Sequence, residues 1–64
     1  MDITGRCKNK DEFASLRAAL ERAGYLLSSI PERNTIISRN NSEAWKIVRK
    51  HAPSGFTQTG IGFI

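Results

Sequence analysis

The chain has 64 residues, of which 39% are apolar and 25% charged, and it contains one cysteine. This length fits a single small α+β domain over residues 1–64, and the composition excludes a low-complexity or disordered chain. It has no apolar run of transmembrane length, no secretory signal and no possible internal disulfide, so we expect a cytoplasmic protein without membrane contact.

The charge balance is basic. Ten Lys and Arg residues exceed six Asp and Glu residues, which gives a formal net charge of +4. Such an excess attracts anionic partners over long distances, such as nucleic acid or an acidic protein surface. The alternative interpretation is that the charge serves solubility alone.

The first helix has both ends marked in the sequence. Residues 1–7 before it are either a strand around Ile3 or a tail. Asn9 is a candidate N-cap, and Glu12 three residues later completes a capping-box pattern. Gly24 supplies the left-handed residue that ends a helix. The apolar stripe between these ends consists of Phe13, Leu16, Leu20 and Ala23.

A hairpin and a second helix follow. Residues 25–30 and 35–39 are rich in β-branched and aromatic residues, and the polar residues 31–34 between them predict a four-residue loop. Asn40 is the expected N-cap of the second helix, with Glu43 three residues on. The apolar arc of that helix consists of Ala44, Trp45, Ile47, Val48, His51 and Ala52. Pro53 ends it, and residues 56–64 predict a last strand.

The predicted order is β-α-β-β-α-β. A shift of 31 residues superposes Asn9 on Asn40 and Gly24 on Gly55, which indicates two β-α-β halves. Two such halves form the split β-α-β (ferredoxin-like) sandwich, with both helices on one face of a small antiparallel sheet. The alternative is α-β-β-α-β with a disordered N-terminus.

Residues for catalysis or metal binding are few. His51 is the only histidine, and its place in the apolar arc is typical of a packed side chain rather than a general base. Cys7 lies among cations before a helix N-terminus, which would lower the pKa of a reactive thiol; a half-buried structural residue is the commoner alternative. One Cys and one His cannot supply a tetrahedral metal site, and no phosphate-binding loop is present, so we expect no cofactor.

The basic residues form two predicted clusters. In a split β-α-β layout, one cluster shares a rim of the sheet around the start of the first helix, and it consists of Arg6, Lys8, Lys10 and Arg33. The other lies on the solvent side of the second helix, and it consists of Lys46, Arg49 and Lys50. Either cluster could contact a nucleic-acid backbone. The predicted central strands hold no aromatic residue, so base stacking on the sheet is not expected.

One local likeness concerns residues 16–37, LRAALERAGYLLSSIPERNTII. A helix ending in Ala-Gly-aromatic and followed by a hairpin resembles the start of HicA-type RNA-cleaving toxins, which have a double-stranded-RNA-binding-like fold. The catalytic histidine of that family lies in the hairpin region, where this chain has residues 31–34, Pro-Glu-Arg-Asn. The resemblance therefore implies no RNA-cleaving activity here.

Together these patterns predict a non-enzymatic basic protein that binds nucleic acid or a nucleoprotein through its Lys and Arg clusters. The alternative is a protein-binding regulator or inhibitor that docks on a larger enzyme, with homodimer formation as one variant. Its contact residues would be the apolar ones near the chain end, Ile61, Phe63 and Ile64. A small-molecule substrate is not expected.

Overall fold

The computed structural model describes residues 2–61, with residues 60 and 61 described by their backbone alone. Strand β1 (Asp2–Cys7) is followed by helix α1 (Lys10–Ala23), strand β2 (Leu26–Ile30) and a short 3-10 turn (Pro31–Arg33). Strand β3 (Thr35–Arg39), helix α2 (Ser42–His51) and strand β4 (Phe56–Ile61) complete the order. The predicted β-α-β-β-α-β order is therefore confirmed.

The four strands form one antiparallel sheet in the order β2-β3-β1-β4. β1 lies inside the sheet, because it pairs with β3 on one side and with β4 on the other. The alternative with a disordered N-terminus is wrong over Asp2–Cys7: Ile3 is fully buried, and this one strand joins the two halves of the sheet.

Helix α1 begins and ends as predicted. The Asn9 side chain accepts a hydrogen bond of 2.8 Å from the Glu12 amide, and Gly24 ends the helix with φ at +83°. The Glu12 carboxylate does not close a capping box, however. It accepts hydrogen bonds from the Ser54 hydroxyl at 2.6 Å and the Ser54 amide at 3.3 Å, and so ties α1 to the turn before β4.

Helix α2 begins one residue later than predicted. Asn41, not Asn40, is the N-cap, because its side chain accepts the Ala44 amide at 2.8 Å. The Asn40 side chain instead accepts the indole N–H of Trp45 at 2.9 Å. The 31-residue shift consequently fails at this cap, and the two halves match in their order of elements rather than residue by residue.

The core lies between the sheet and the two helices, which pack against each other. Its buried apolar side chains are Ile3, Cys7, Phe13, Leu16, Leu20, Ile36, Ala44, Val48 and Ala52. Gly5 also faces this layer, and a Cβ there would overlap the ring of Phe56. Most of the predicted apolar stripe and arc is thus confirmed as core, although Ala23 is exposed.

The hairpin loop has the predicted four residues. Pro31–Arg33 form the 3-10 turn, and Asn34 takes the left-handed conformation, with φ at +49°, that returns the chain to β3. Asparagine adopts this conformation more readily than most residues. None of the helices within residues 2–61 combines the length and apolar character needed to cross a bilayer.

Candidate nucleic-acid interface

The sheet face that points away from the core carries a shallow concavity of about 440 Å³. Its lining side chains are Asp2, Thr4, Arg6, Ile30, Arg33, Thr35, Ile37 and Thr59. All four strands and the 3-10 turn contribute to it. We refer to this set of residues as the sheet concavity.

Strand register explains why these side chains meet. Residues directly opposite each other in an antiparallel pair share a face, and faces alternate along each strand. Arg6 lies opposite Thr35, and Thr4 lies opposite Ile37, so both pairs are on the open face. Ile30 joins them because it pairs with Thr35 from β2.

Arg33 reaches the concavity through the hairpin loop. The Thr35 hydroxyl donates a hydrogen bond of 3.0 Å to the Arg33 carbonyl, which fixes the end of the turn against β3. Arg33 thereby lies on the same surface as Arg6, although 26 residues separate them along the chain. The sequence predicts both arginines on one rim of the sheet, and both line the concavity.

The chemistry of the concavity suits a phosphodiester. Two guanidinium groups, from Arg6 and Arg33, can each form paired hydrogen bonds to phosphate oxygens. Hydroxyl groups from Thr4 and Thr59 add donors, and Asp2 is the one carboxylate among the lining residues. These lining residues include no aromatic ring, so contacts to the backbone are available there and base stacking is not.

The two lysines grouped with these arginines lie elsewhere. The Lys10 ammonium donates to the Pro31 carbonyl at 2.9 Å and to the Asn34 side chain at 3.5 Å, so it fastens the hairpin loop to α1. The Lys8 side chain runs alongside Gly55, with its Cε 3.1 Å from where a Cβ would stand on that glycine. Neither lysine lines the sheet concavity.

The basic residues of α2 form a separate surface. Lys46 pairs with Glu43 at 3.6 Å, and both side chains are more than 60% exposed, so this ion pair stabilises the helix little. Arg49 borders a groove beside β4, and Lys50 is exposed on the helix. Their role in binding nucleic acid stays a prediction.

Arg39 also lies on the open face of the sheet, although it was not among the basic residues predicted as a cluster from the sequence. It lies opposite Asp2 at the end of β3 and is exposed. The alternation of Thr35, Ile37 and Arg39 could have identified it, because period-two spacing puts all three on one face.

The position of Cys7 favours the structural interpretation over the reactive thiol, and the side chain is fully buried rather than half-buried. It is only 2% exposed, and its pKa is raised above the ordinary value, first by burial and then by the Glu12 carboxylate. His51 is half-buried, and a hydrogen bond of 2.9 Å joins its Nδ1 to the Ser15 hydroxyl oxygen, which links α2 to α1. Within residues 2–61, no three His, Cys, Asp or Glu side chains are grouped to hold a metal ion.

The contact predicted at the chain end is described only in part. Ile61 pairs through its backbone with Ile3, whereas Phe63 and Ile64 lie outside the described residues. Their proposed role in partner contact therefore stays a prediction.

No known protein family, curated protein or solved structure matches this chain. The likeness of residues 16–37 to HicA-type toxins therefore rests on that segment alone.

Proposed function

We propose that this chain is a small non-enzymatic protein that binds the phosphodiester backbone of nucleic acid with its sheet concavity. The observation that carries the proposal is that Arg6 and Arg33 line one open concavity, together with three threonines. A net charge of +4 supports it, because it would draw a polyanion toward any exposed arginine pair.

The proposed binding mode is weakly sequence-specific. Arginine contacts to phosphate position a nucleic acid without reading its bases. The lining residues offer neither an aromatic platform nor Asn or Gln for base edges. The two arginines therefore support binding to the phosphodiester backbone, and the affinity of that binding should depend strongly on salt concentration.

The proposal extends to the fold. The strand order β2-β3-β1-β4, with antiparallel neighbours and two packed helices, supports assignment to the split β-α-β (ferredoxin-like) sandwich. In this arrangement the helices cover one face of the sheet and leave the other open, which is what a binding concavity on the sheet requires.

Fluorescence anisotropy with labelled 20-nucleotide single strands of DNA and RNA, and with the matching duplexes, tests the proposal. At low salt the wild-type chain should bind, and the Arg6→Gln/Arg33→Gln variant should bind about tenfold or more weakly. The control is Arg17→Gln/Arg22→Gln on α1, which lowers the net charge equally and should weaken binding only slightly.

Equal weakening by the two double variants would show that net charge, and not the sheet concavity, accounts for binding. Absence of binding to all four nucleic acids at low salt would remove the proposed function entirely.

A second candidate, a regulator or inhibitor that docks on a larger protein, is supported by a different surface. The groove between α2 and the start of β4 combines apolar walls with one cation, Arg49.

A further inference from the structure

A second depression, of about 410 Å³, lies between α2 and the start of β4. It is lined by Trp45, Val48, Arg49, Ala52, Pro53, Gly55 and Phe56. We call it the α2 groove. Its volume falls in the range of about 300–1,000 Å³ that is usual for pockets holding small ligands or anchoring side chains.

The walls of the α2 groove are ordered by packing. The Trp45 and Phe56 rings meet edge to face, with centroids 6.2 Å apart and planes at 85°. The indole N–H of Trp45 is already satisfied by Asn40 at 2.9 Å. The buried side chains of Val48 and Ala52 form an aliphatic floor. An apolar side chain of a ligand would therefore contact a preformed apolar surface.

Two cations lie at or near this groove. Arg49 lines it and is exposed, and the Lys8 side chain runs alongside Gly55, which is one of the lining residues. None of the lining residues carries a carboxylate. An apolar cleft flanked by positive charge is complementary to an apolar side chain flanked by negative charge.

We propose that the α2 groove binds a segment of another protein in which an apolar side chain lies between Asp or Glu residues. The apolar side chain packs against the two aromatic rings and the aliphatic floor, and the flanking carboxylates pair with Arg49 and Lys8. The aliphatic floor disfavours a nucleobase, because its polar edge would lose hydrogen bonds there. This inference does not depend on the sheet concavity, which lies on the opposite face of the sheet.

Selection of displayed random 12-residue peptides on the immobilised full chain tests this inference. The expected result is a consensus with one large apolar residue next to acidic residues. Synthetic consensus peptide should change the fluorescence of Trp45, the only tryptophan in the chain. Peptides with the apolar residue replaced by Ser, or with the acidic residues replaced by Asn and Gln, should bind much more weakly.

Variants of the protein locate the site. Arg49→Glu should weaken the consensus peptide by about tenfold or more, and Arg49→Gln by less. The matched control is Arg22→Glu on the exposed side of α1, which should change peptide affinity less than about twofold. A charge far from the α2 groove acts on the peptide only through attraction that salt screens. Because Arg49 is exposed, both variants should keep the wild-type circular dichroism spectrum.

Three results would overturn the inference. The first is no enriched peptide, or a consensus without acidic residues. The second is equal loss of peptide affinity in Arg49→Glu and Arg22→Glu. The third is a tenfold loss of oligonucleotide affinity in Arg49→Glu without any selected peptide, which would assign the groove to nucleic acid instead.

Discussion

At the scale of single residues, Gly5 marks the close contact between strand β1 and the ring of Phe56 at the start of β4. It lies on a central strand, and the Phe56 ring occupies the space where a side chain would stand. Gly5→Ala should therefore destabilise the protein by about 1–3 kcal/mol, because overpacking forces strand or ring to move. Urea denaturation followed by circular dichroism measures this loss.

The combination of Gly5→Ala with Phe56→Leu is the matching control. The smaller side chain makes room for the new methyl group, so the double variant should be more stable than the sum of the two single effects allows. Simple additivity, or a Gly5→Ala variant as stable as the wild type, would contradict the proposed clash.

Cys7 gives a prediction for pH dependence. Burial raises the pKa of its thiol, with a smaller contribution from Glu12, so the folded chain holds the thiol proton more tightly than the unfolded chain does. This contribution to stability is fully present below the ordinary thiol pKa of about 8.5 and is lost as the pH rises through the higher folded-state value.

The free energy of unfolding should consequently fall as the pH rises above the ordinary thiol pKa, and fall less steeply in Cys7→Ala. Urea melts at a series of pH values measure both slopes. An identical slope in the two proteins would show that the thiol makes no contribution. The same burial predicts slow alkylation by iodoacetamide until denaturant is added.

At the scale of elements, the two adjacent asparagines at the start of α2 have different hydrogen-bond partners. Asn41 accepts a helix amide, whereas Asn40 accepts the indole N–H of Trp45. Asn41→Ala should cost about 1 kcal/mol, as the loss of an N-cap usually does. Thermal and urea denaturation should show a smaller cost for Asn40→Ala, because Trp45 is half-buried and water can reach its N–H. The reverse order would restore Asn40 as the cap.

The helices differ in how far the sequence predicts their ends. The ends of α1 depend on local features, an asparagine cap and a left-handed glycine, and both are as predicted. At α2 the spacing between Asn40 and Glu43 pointed to the wrong residue. The Asn40 side chain instead accepts the indole N–H of Trp45, and spacing rules for a capping box do not contain this contact.

The candidate site shows a similar division. Arg6 and Arg33 lie on the same surface because of the order of the strands, so the predicted topology was sufficient to group them. The hydrogen bond from Lys10 to the Pro31 carbonyl depends on how the 3-10 turn orients its backbone. The amino-acid composition does not reveal that orientation. Lys8 turns toward Gly55, where the lack of a side chain leaves it room.

At the scale of the whole molecule, six of the ten Lys and Arg residues lie in two groups on different surfaces. Arg6, Arg33 and Arg39 lie on the open sheet face, and Lys46, Arg49 and Lys50 lie on α2. We infer that the first group serves a polyanion and that Arg49 serves an acidic peptide. The division predicts that variants at one face leave binding at the other nearly unchanged.

The salt dependence of nucleic-acid affinity tests the central claim most directly. For a 20-nucleotide oligonucleotide, the logarithm of the association constant should fall linearly with the logarithm of the KCl concentration. Each arginine removed from the sheet concavity should make the slope shallower by about 0.7–0.9. Arg6→Gln/Arg33→Gln should therefore show twice that reduction, while Arg17→Gln/Arg22→Gln keeps the wild-type slope. A slope unchanged by the loss of Arg6 and Arg33 would contradict the assignment of phosphate binding to this concavity.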